Sequence, residues 1–197
     1  MKEGKEEQIS LDDVEIPDRI PTKFINDRVI VFNPLYASYL YVKKNFFGSP
    51  LGISKPRLEY FSKPSELSLI EAYYLLEHNE ITVFDVKTQQ NLNAQEFFSK
   101  AKKVHSKFED KYVIYKDLRD KKYVPRPGLK FGADFVVYKK GPGLEHSLFM
   151  VHVLPHNSEI TAIDMVRAGR LATSVRKKFV IANPLTKSYY FFEWFKP

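Results

Sequence analysis

Short β-branched or aromatic runs and longer stretches with helical spacing interleave along the whole chain, a pattern that predicts an α+β protein. Arg28-Val-Ile-Val-Phe32 reads as a strand ended by the turn-forming Asn33-Pro34. Leu35 to Asn45 places Leu35, Tyr39, Leu40 and Val42 at helical spacing, and Phe46-Phe-Gly-Ser-Pro50 stops that helix. Ser68-Leu-Ile-Glu71 has the capping-box pattern, in which serine and glutamate each satisfy an amide of the other, so a helix runs from there to about Asn79. Ile81 to Phe84 reads as a strand. Asn93 to Arg119 is mostly helical, with an apolar stripe through Phe97, Phe98, Ala101, Val104, Phe108, Tyr112, Tyr115 and Leu118. The pattern leaves open where one helix becomes two.

The second half is strand-rich. Tyr123-Val124 can start a strand, and Pro125-Arg-Pro-Gly128 reads as a turn or bulge. Phe131-Gly-Ala-Asp-Phe-Val-Val-Tyr138 reads as a strand whose glycine allows close backbone approach. The loop Lys139-Lys-Gly-Pro-Gly-Leu-Glu145 follows, and His146 then opens a nearly continuous apolar run, Ser147 to Leu154, of the buried type. Thr161 and Asp164 form a second capping-box pattern for a helix to about Thr173, with Ala162, Ile163, Val166 and Leu171 inward. Lys177 to Ala182 and the aromatic Ser188 to Lys196 are the last two strands. Two domains are expected, 23–105 with helices on a small antiparallel or mixed sheet, and 106–197 with a mixed four-stranded sheet flanked by helices. Residues 1–22, charged and interrupted by prolines, read as a flexible arm; a segment that orders on docking is the alternative.

Composition narrows the chemistry. The 197 residues carry a formal charge of +7, which favours encounter with polyanions. There is no cysteine, so disulfides, thiol nucleophiles and Cys-ligated zinc are excluded. The five histidines lack metal-ligand spacing, and no metal or other cofactor is expected. No apolar run reaches the roughly 18 residues of a membrane span, and the charged N-terminus does not read as a signal peptide. A soluble, cytoplasmic protein is the expectation.

Three residues draw attention. Tyr138 ends a strand, His146 sits where a glycine loop meets a buried strand, and Lys177 lies in the basic Arg176-Lys-Lys178 at a helix-to-strand junction. Alone, each has an ordinary explanation in rim packing, a core or capping histidine, and a solvated basic cluster. Together they are more telling. Tyr138 and His146 flank one short loop and can converge, and Lys177 joins them if the 161–173 helix packs back on the sheet.

The runs Gly128-Leu-Lys-Phe-Gly-Ala-Asp-Phe-Val-Val-Tyr138, Gly141-Pro-Gly-Leu-Glu-His146 and Gly169-Arg-Leu-Ala-Thr-Ser-Val-Arg-Lys-Lys178 resemble the archaeal tRNA-splicing endonuclease family. Gly48-Ser-Pro-Leu-Gly-Ile53 and Glu66-Leu-Ser-Leu-Ile-Glu-Ala72 resemble its N-terminal domain, so the resemblance covers nearly everything after residue 23. It implies a nuclease-like C-terminal domain that cleaves precursor tRNA at bulge-helix-bulge junctions without metal. Cyclic-phosphate and 5′-hydroxyl ends would result. Tyr138 would be the general base, His146 the general acid, and Lys177 the group that stabilises charge on phosphorus. Arg170 matches the family arginine that stacks on a bulged base, and Trp194 stands where some relatives carry a second arginine. Homo-oligomeric relatives carry an acidic loop between their last two strands; here Asn183-Pro-Leu-Thr-Lys-Ser188 holds no carboxylate. The resemblance therefore implies a heterotetramer of two catalytic and two structural chains, with the C-terminal strand at a subunit interface. The rival expectations are a non-catalytic RNA-binding or structural subunit of the same assembly and an unrelated basic RNA-binding module.

Overall fold

The structure is a computed structural model that describes residues 10–156, 158–163, 165–166, 169–170 and 178–192. The chain divides into two compact units between Ser99 and Lys100. The expected boundary, after residue 105, falls six residues later.

The first unit is built on a mixed six-stranded sheet. Its strands are β1 (Ile20–Ile25), β2 (Arg28–Val31), β3 (Ser49–Pro50), β4 (Ser65–Leu67), β5 (Ile81–Asp85) and β6 (Gln90–Leu92), ordered β3-β4-β2-β1-β5-β6. β1 and β5 run parallel, with Ile20 opposite Ile81; the other pairs are antiparallel. Helices α1 (Pro34–Val42) and α2 (Leu69–Glu77) pack on this sheet, and α3 (Ala94–Val104) runs on into the second unit. Val29, Val31, Leu40, Leu67, Leu75, Ile81, Val83 and Phe97 form the buried centre. The capping box expected at the start of α2 is present: Glu71 N–H donates to Ser68 Oγ at 3.3 Å, and Glu71 Oε2 accepts from Ser68 N–H at 2.9 Å.

Two expectations for this half need correction. Residues 1–22 are not an arm throughout, because Ile20, Pro21 and Thr22 belong to β1 and Leu11 is buried. The parallel pairing with β5 recruits them, a long-range contact that local composition does not report. In α1 the inward residues are Ala37, Ser38, Leu40 and Tyr41, not the stripe read from Leu35, Tyr39 and Val42. Ser38 faces inward because its hydroxyl is used: it accepts from Phe61 N–H at 3.0 Å.

The second unit holds α4 (Phe108–Asp120), β7 (Val124–Pro127), a 3₁₀ turn at Leu129–Phe131, β8 (Phe135–Tyr138), β9 (Phe149–Val153), β10 (Lys178–Asn183) and β11 (Ser188–Phe192). The sheet order is β11-β10-β9-β8-β7, with β9 and β10 parallel and all other pairs antiparallel. α4 packs on one face of the sheet through Tyr115, whose ring lies 5.8 Å from that of Phe135. The other face carries Val136, Met150, Phe179 and Ile181, with Tyr138, Leu154, Ile160 and Phe192 packed against them.

The sheet has five strands where four were expected. Val124 to Pro127 is a strand, not a turn, and it pairs with β8 from Val124↔Tyr138 to Pro127↔Phe135. Two prolines in four residues argue against a central strand, but β7 is an edge, where proline is tolerated. The strand expected over 131–138 starts only at Phe135. Gly132, at φ +66°, ends the 3₁₀ turn, and the close approach belongs to Gly128, where an added Cβ would sit 2.9 Å from the Ala133 carbonyl oxygen. The run from Ser147 narrows to Phe149–Val153 as β9. The helical stretch over 93–119 resolves into α3 and α4, separated at His105 to Lys107.

Candidate active site

Tyr138 is the last residue of β8 and lies opposite Val124 of the edge strand β7. Its ring is half-buried against the cluster of Val136 and Met150, on the face away from α4. Burial pushes its hydroxyl above the ordinary tyrosine range, and the Arg126 guanidinium pulls the other way. Arg126 is the β7 residue opposite Val136, one step along the same face, and it is itself partly buried.

The chain between β8 and β9 is shaped by one carboxylate. Glu145 Oε1 accepts from the amides of Lys139 at 2.5 Å and Lys140 at 2.6 Å, which folds the loop back on itself. The Lys140 amide, with those of Lys139 and Gly141, holds this carboxyl below its usual range. Gly141 and Gly143 take φ values of +131° and +86° in that reversal, backbone states that favour glycine. After the clamp comes His146, exposed, and then Leu148, whose amide donates to the Val137 carbonyl at 2.8 Å. His146 is thus two residues from an anchor on the neighbour of Tyr138, a span of about 7 Å at most. Tyr138 and His146 are therefore brought to one end of the sheet. The phenol is lodged on a rigid strand, and the imidazole is presented by a short braced loop.

β10 begins at this same end, because it runs parallel to β9 and places Lys178 opposite Phe149. Lys178 is exposed there. Lys177, the residue before it, and Trp194 lie outside the described residues. Arg170 is exposed and helical. Asp164 of the second capping-box pattern and Leu171 are also outside the described residues; Met165 N–H donates to Thr161 C=O at 3.2 Å, as one helical turn requires, but Ala162, Ile163 and Val166, expected inward, are exposed.

The opposite end of the sheet holds a different cluster. Asp134, just before β8, pairs with Lys111 of α4 at 2.7 Å and with His152 of β9 at 3.2 Å, and accepts from Val153 N–H at 2.8 Å. Burial alone would raise its carboxyl, but His152, Lys111 and that amide bring it down to about 2. His156 pairs with Asp110 at 3.2 Å. These two histidines are engaged in tying β9 and the segment after it to α4. Of the histidines from 146 onward, His146 is the one at the tyrosine end.

Sequence reasoning passed over Arg126, which lay hidden in what read as a turn, and saw Glu145 only as part of a motif. Alternation would have exposed Arg126, since Val124 and Arg126 continue the face of Tyr138 and Val136. Among the described residues no three or more histidines and carboxylates come together as a metal site. Among the same residues no helix is long and apolar enough to cross a membrane. A cavity of about 520 Å³ in the first unit, lined in part by Arg19, Glu77, Asn79 and Asn91, contains none of these site residues.

Comparison with known proteins agrees over both units. Residues 20–98 match the family model described as tRNA intron endonuclease, N-terminal domain, and residues 108–189 match tRNA intron endonuclease, catalytic C-terminal domain. A tRNA-splicing endonuclease of Hyperthermus butylicus is 43% identical over 176 residues, covering 86% of this chain and 95% of that protein. One from Saccharolobus solfataricus is 38% identical over 177 residues, covering 87% of this chain and 96% of its own length.

Proposed function

Because the chain belongs to the tRNA intron endonuclease family, we propose that it is a catalytic subunit that cuts precursor tRNA at bulge-helix-bulge junctions. The observation that carries this reading is the pairing of a strand-borne phenol, Tyr138, with a loop-borne imidazole, His146, at one end of the second sheet. RNA carries its own nucleophile in the ribose 2′-hydroxyl. The protein therefore needs to position the backbone, move two protons and steady the charge that grows on phosphorus. In this reading Tyr138 takes the 2′-hydroxyl proton and His146 gives a proton to the departing 5′-oxygen. Lys177 has the role of steadying the charge on the phosphoryl oxygens. The ends produced are a 2′,3′-cyclic phosphate and a 5′-hydroxyl, and the reaction so drawn uses no metal. Histidine suits the acid role because its ordinary pKa lies near neutrality.

Arg170, exposed on its helical stretch, and Trp194 are the candidates for holding an unstacked base between a guanidinium plane and a ring. The hairpin between β10 and β11 supports a mixed assembly. It is tight, with Asn183 Oδ1 accepting from Leu185 N–H at 2.9 Å, and its charged residue is Lys187. A second, structural chain that brings an acidic loop would complete a two-plus-two heterotetramer. Tyr190 and Phe191, exposed on the edge strand β11, are the apolar surface offered to a subunit contact. Function in the cytoplasm follows from the same reading.

The test is cleavage of a bulge-helix-bulge RNA in EDTA by the wild-type chain and by His146→Ala, each with and without the structural partner. Single-turnover rates should fall about 10²- to 10⁴-fold in the variant, the usual worth of a positioned acid, while RNA affinity is retained. Wild-type products should carry cyclic-phosphate ends. Undiminished cleavage by His146→Ala would remove the acid assignment. Binding without cleavage by every combination would favour the non-catalytic subunit.

A further inference from the structure

Tyr138 poses a chemical difficulty, since a phenol is almost wholly protonated near neutrality, and burial makes its basic, anionic form rarer still. Something must favour the anionic form. β7 supplies a candidate. Arg126 and Val124 occupy the face of β7 that continues the Tyr138 face of β8, and the register sets Arg126 diagonally across from Tyr138. Diagonal neighbours on an antiparallel pair lie about 7–8 Å apart, within reach of a long side chain. The prolines on either side, Pro125 and Pro127, hold this short edge strand in an extended conformation and so fix the direction in which the arginine leaves the backbone.

We propose that Arg126 is a positioning residue for the cleavage reaction, its guanidinium stabilising the tyrosinate of Tyr138 that accepts the ribose 2′-hydroxyl proton. The proton passes from the ribose oxygen to the phenolate oxygen, leaving neutral Tyr138 and an alkoxide that attacks phosphorus. Arg126 stays protonated throughout. This inference rests on the catalytic reading of Tyr138 given above.

Among the described residues, Arg126 is the charged group whose field acts on the hydroxyl, and it acts in the lowering direction. Glu145 is committed to the amides of Lys139 and Lys140, and the Lys139 ammonium sits 4.7 Å over the Tyr123 ring. His146 and Lys178 are exposed at this same end, and the Asp134–His152–Lys111 cluster is at the other. Arginine suits the role because it remains charged across the whole range in which tyrosine titrates.

The experiment compares wild type, Arg126→Gln, Arg126→Lys and Tyr138→Phe in the full-length chain, with its partner subunit wherever cleavage requires one. Tyrosine ring-carbon labelling, with Tyr138→Phe assigning the resonance, follows the ionisation of Tyr138 directly and without RNA. Single-turnover rates are measured against pH at saturating RNA, and RNA affinity is measured separately. A guanidinium beside a partly solvated phenol changes the tyrosinate fraction about three- to tenfold. Arg126→Gln should therefore move the Tyr138 titration upward and slow cleavage by that factor near neutrality, with the gap closing as pH approaches the titration. Affinity should be unchanged, and Arg126→Lys should recover most of the rate. An unmoved titration in Arg126→Gln, or a defect confined to RNA affinity, would overturn the proposal while leaving the role of Tyr138 intact. Wild-type cleavage by Tyr138→Phe would instead remove the general-base reading, and the proposal with it.

Discussion

Both units centre on a mixed sheet with one parallel pair, β1–β5 in the first and β9–β10 in the second, yet they use their carboxylates in different ways. In the first unit Glu71 is buried and turned onto its own backbone. It accepts from Ser68 N–H at 2.9 Å and from Gly48 N–H at 3.4 Å. Asp85 does the same for the turn after β5, accepting from Lys87 N–H at 2.8 Å. In the second unit the carboxylates divide between the two ends of the sheet. Asp134 locks one end with a lysine and a histidine, and Glu145 braces the loop that presents His146 at the other. A scaffold can spend its polar groups on itself. A site needs one end held and the other end presented, and Asp134 and Glu145 give the second unit that arrangement.

Substitutions can test the contrast, beginning with the largest effect. Glu71→Ala strands buried amides at Ser68 and Gly48 and removes a capping box, which should cost about 2–4 kcal/mol. Urea unfolding measures the loss, and the refolded protein should cleave at the wild-type rate under conditions where it is fully folded. A cleavage defect in the folded variant would mean that the first unit contributes more than scaffold.

Asp134→Asn should be next, at about 1–3 kcal/mol near neutrality, because Lys111, His152 and the Val153 amide exchange a charged acceptor for a neutral one. Its pH dependence has a definite sign. The folded carboxyl titrates at about 2, below the roughly 3.9 of an unfolded aspartate. The stabilisation is therefore fully present above about pH 4 and fades as pH falls toward 2. The stability gap between wild type and Asp134→Asn should be level from neutrality down to about pH 5 and shrink below it. A gap that stays constant to pH 2 would show that the ion pairs are not its source.

Glu145→Gln should have the smallest effect on stability, because the group is exposed, and its consequence should be kinetic. A neutral amide oxygen accepts less strongly from Lys139 and Lys140, so His146 is held less firmly. A severalfold loss of cleavage with an unchanged unfolding midpoint is expected. A lowered midpoint with intact cleavage would reverse the assignment and make Glu145 a fold residue.

The sequence by itself determined the elements whose signals are local. The Ser68–Glu71 capping box is legible because both partners lie within one helical turn, and the helical stripe from Phe97 to Leu118 because packing repeats every few residues. Family membership was legible for the same reason, in contiguous runs such as Gly128 to Tyr138. The neighbourhood of Tyr138 and His146 was legible because seven residues of loop separate them. What the tertiary structure alone decided depends on partners far apart in the chain. Ile20 to Thr22 became a strand only because β5, sixty-one residues on in the register, offers a parallel edge. Val124 to Pro127 became a strand because proline costs little at a sheet edge, and nothing in the local sequence says which strand is the edge. The same pairing set Arg126 beside Tyr138. Which histidine is tied up and which is presented was settled in the same way, since Asp134 reaches His152 only once β8 and β9 pair, and Asp110 reaches His156 only once α4 lies across the sheet.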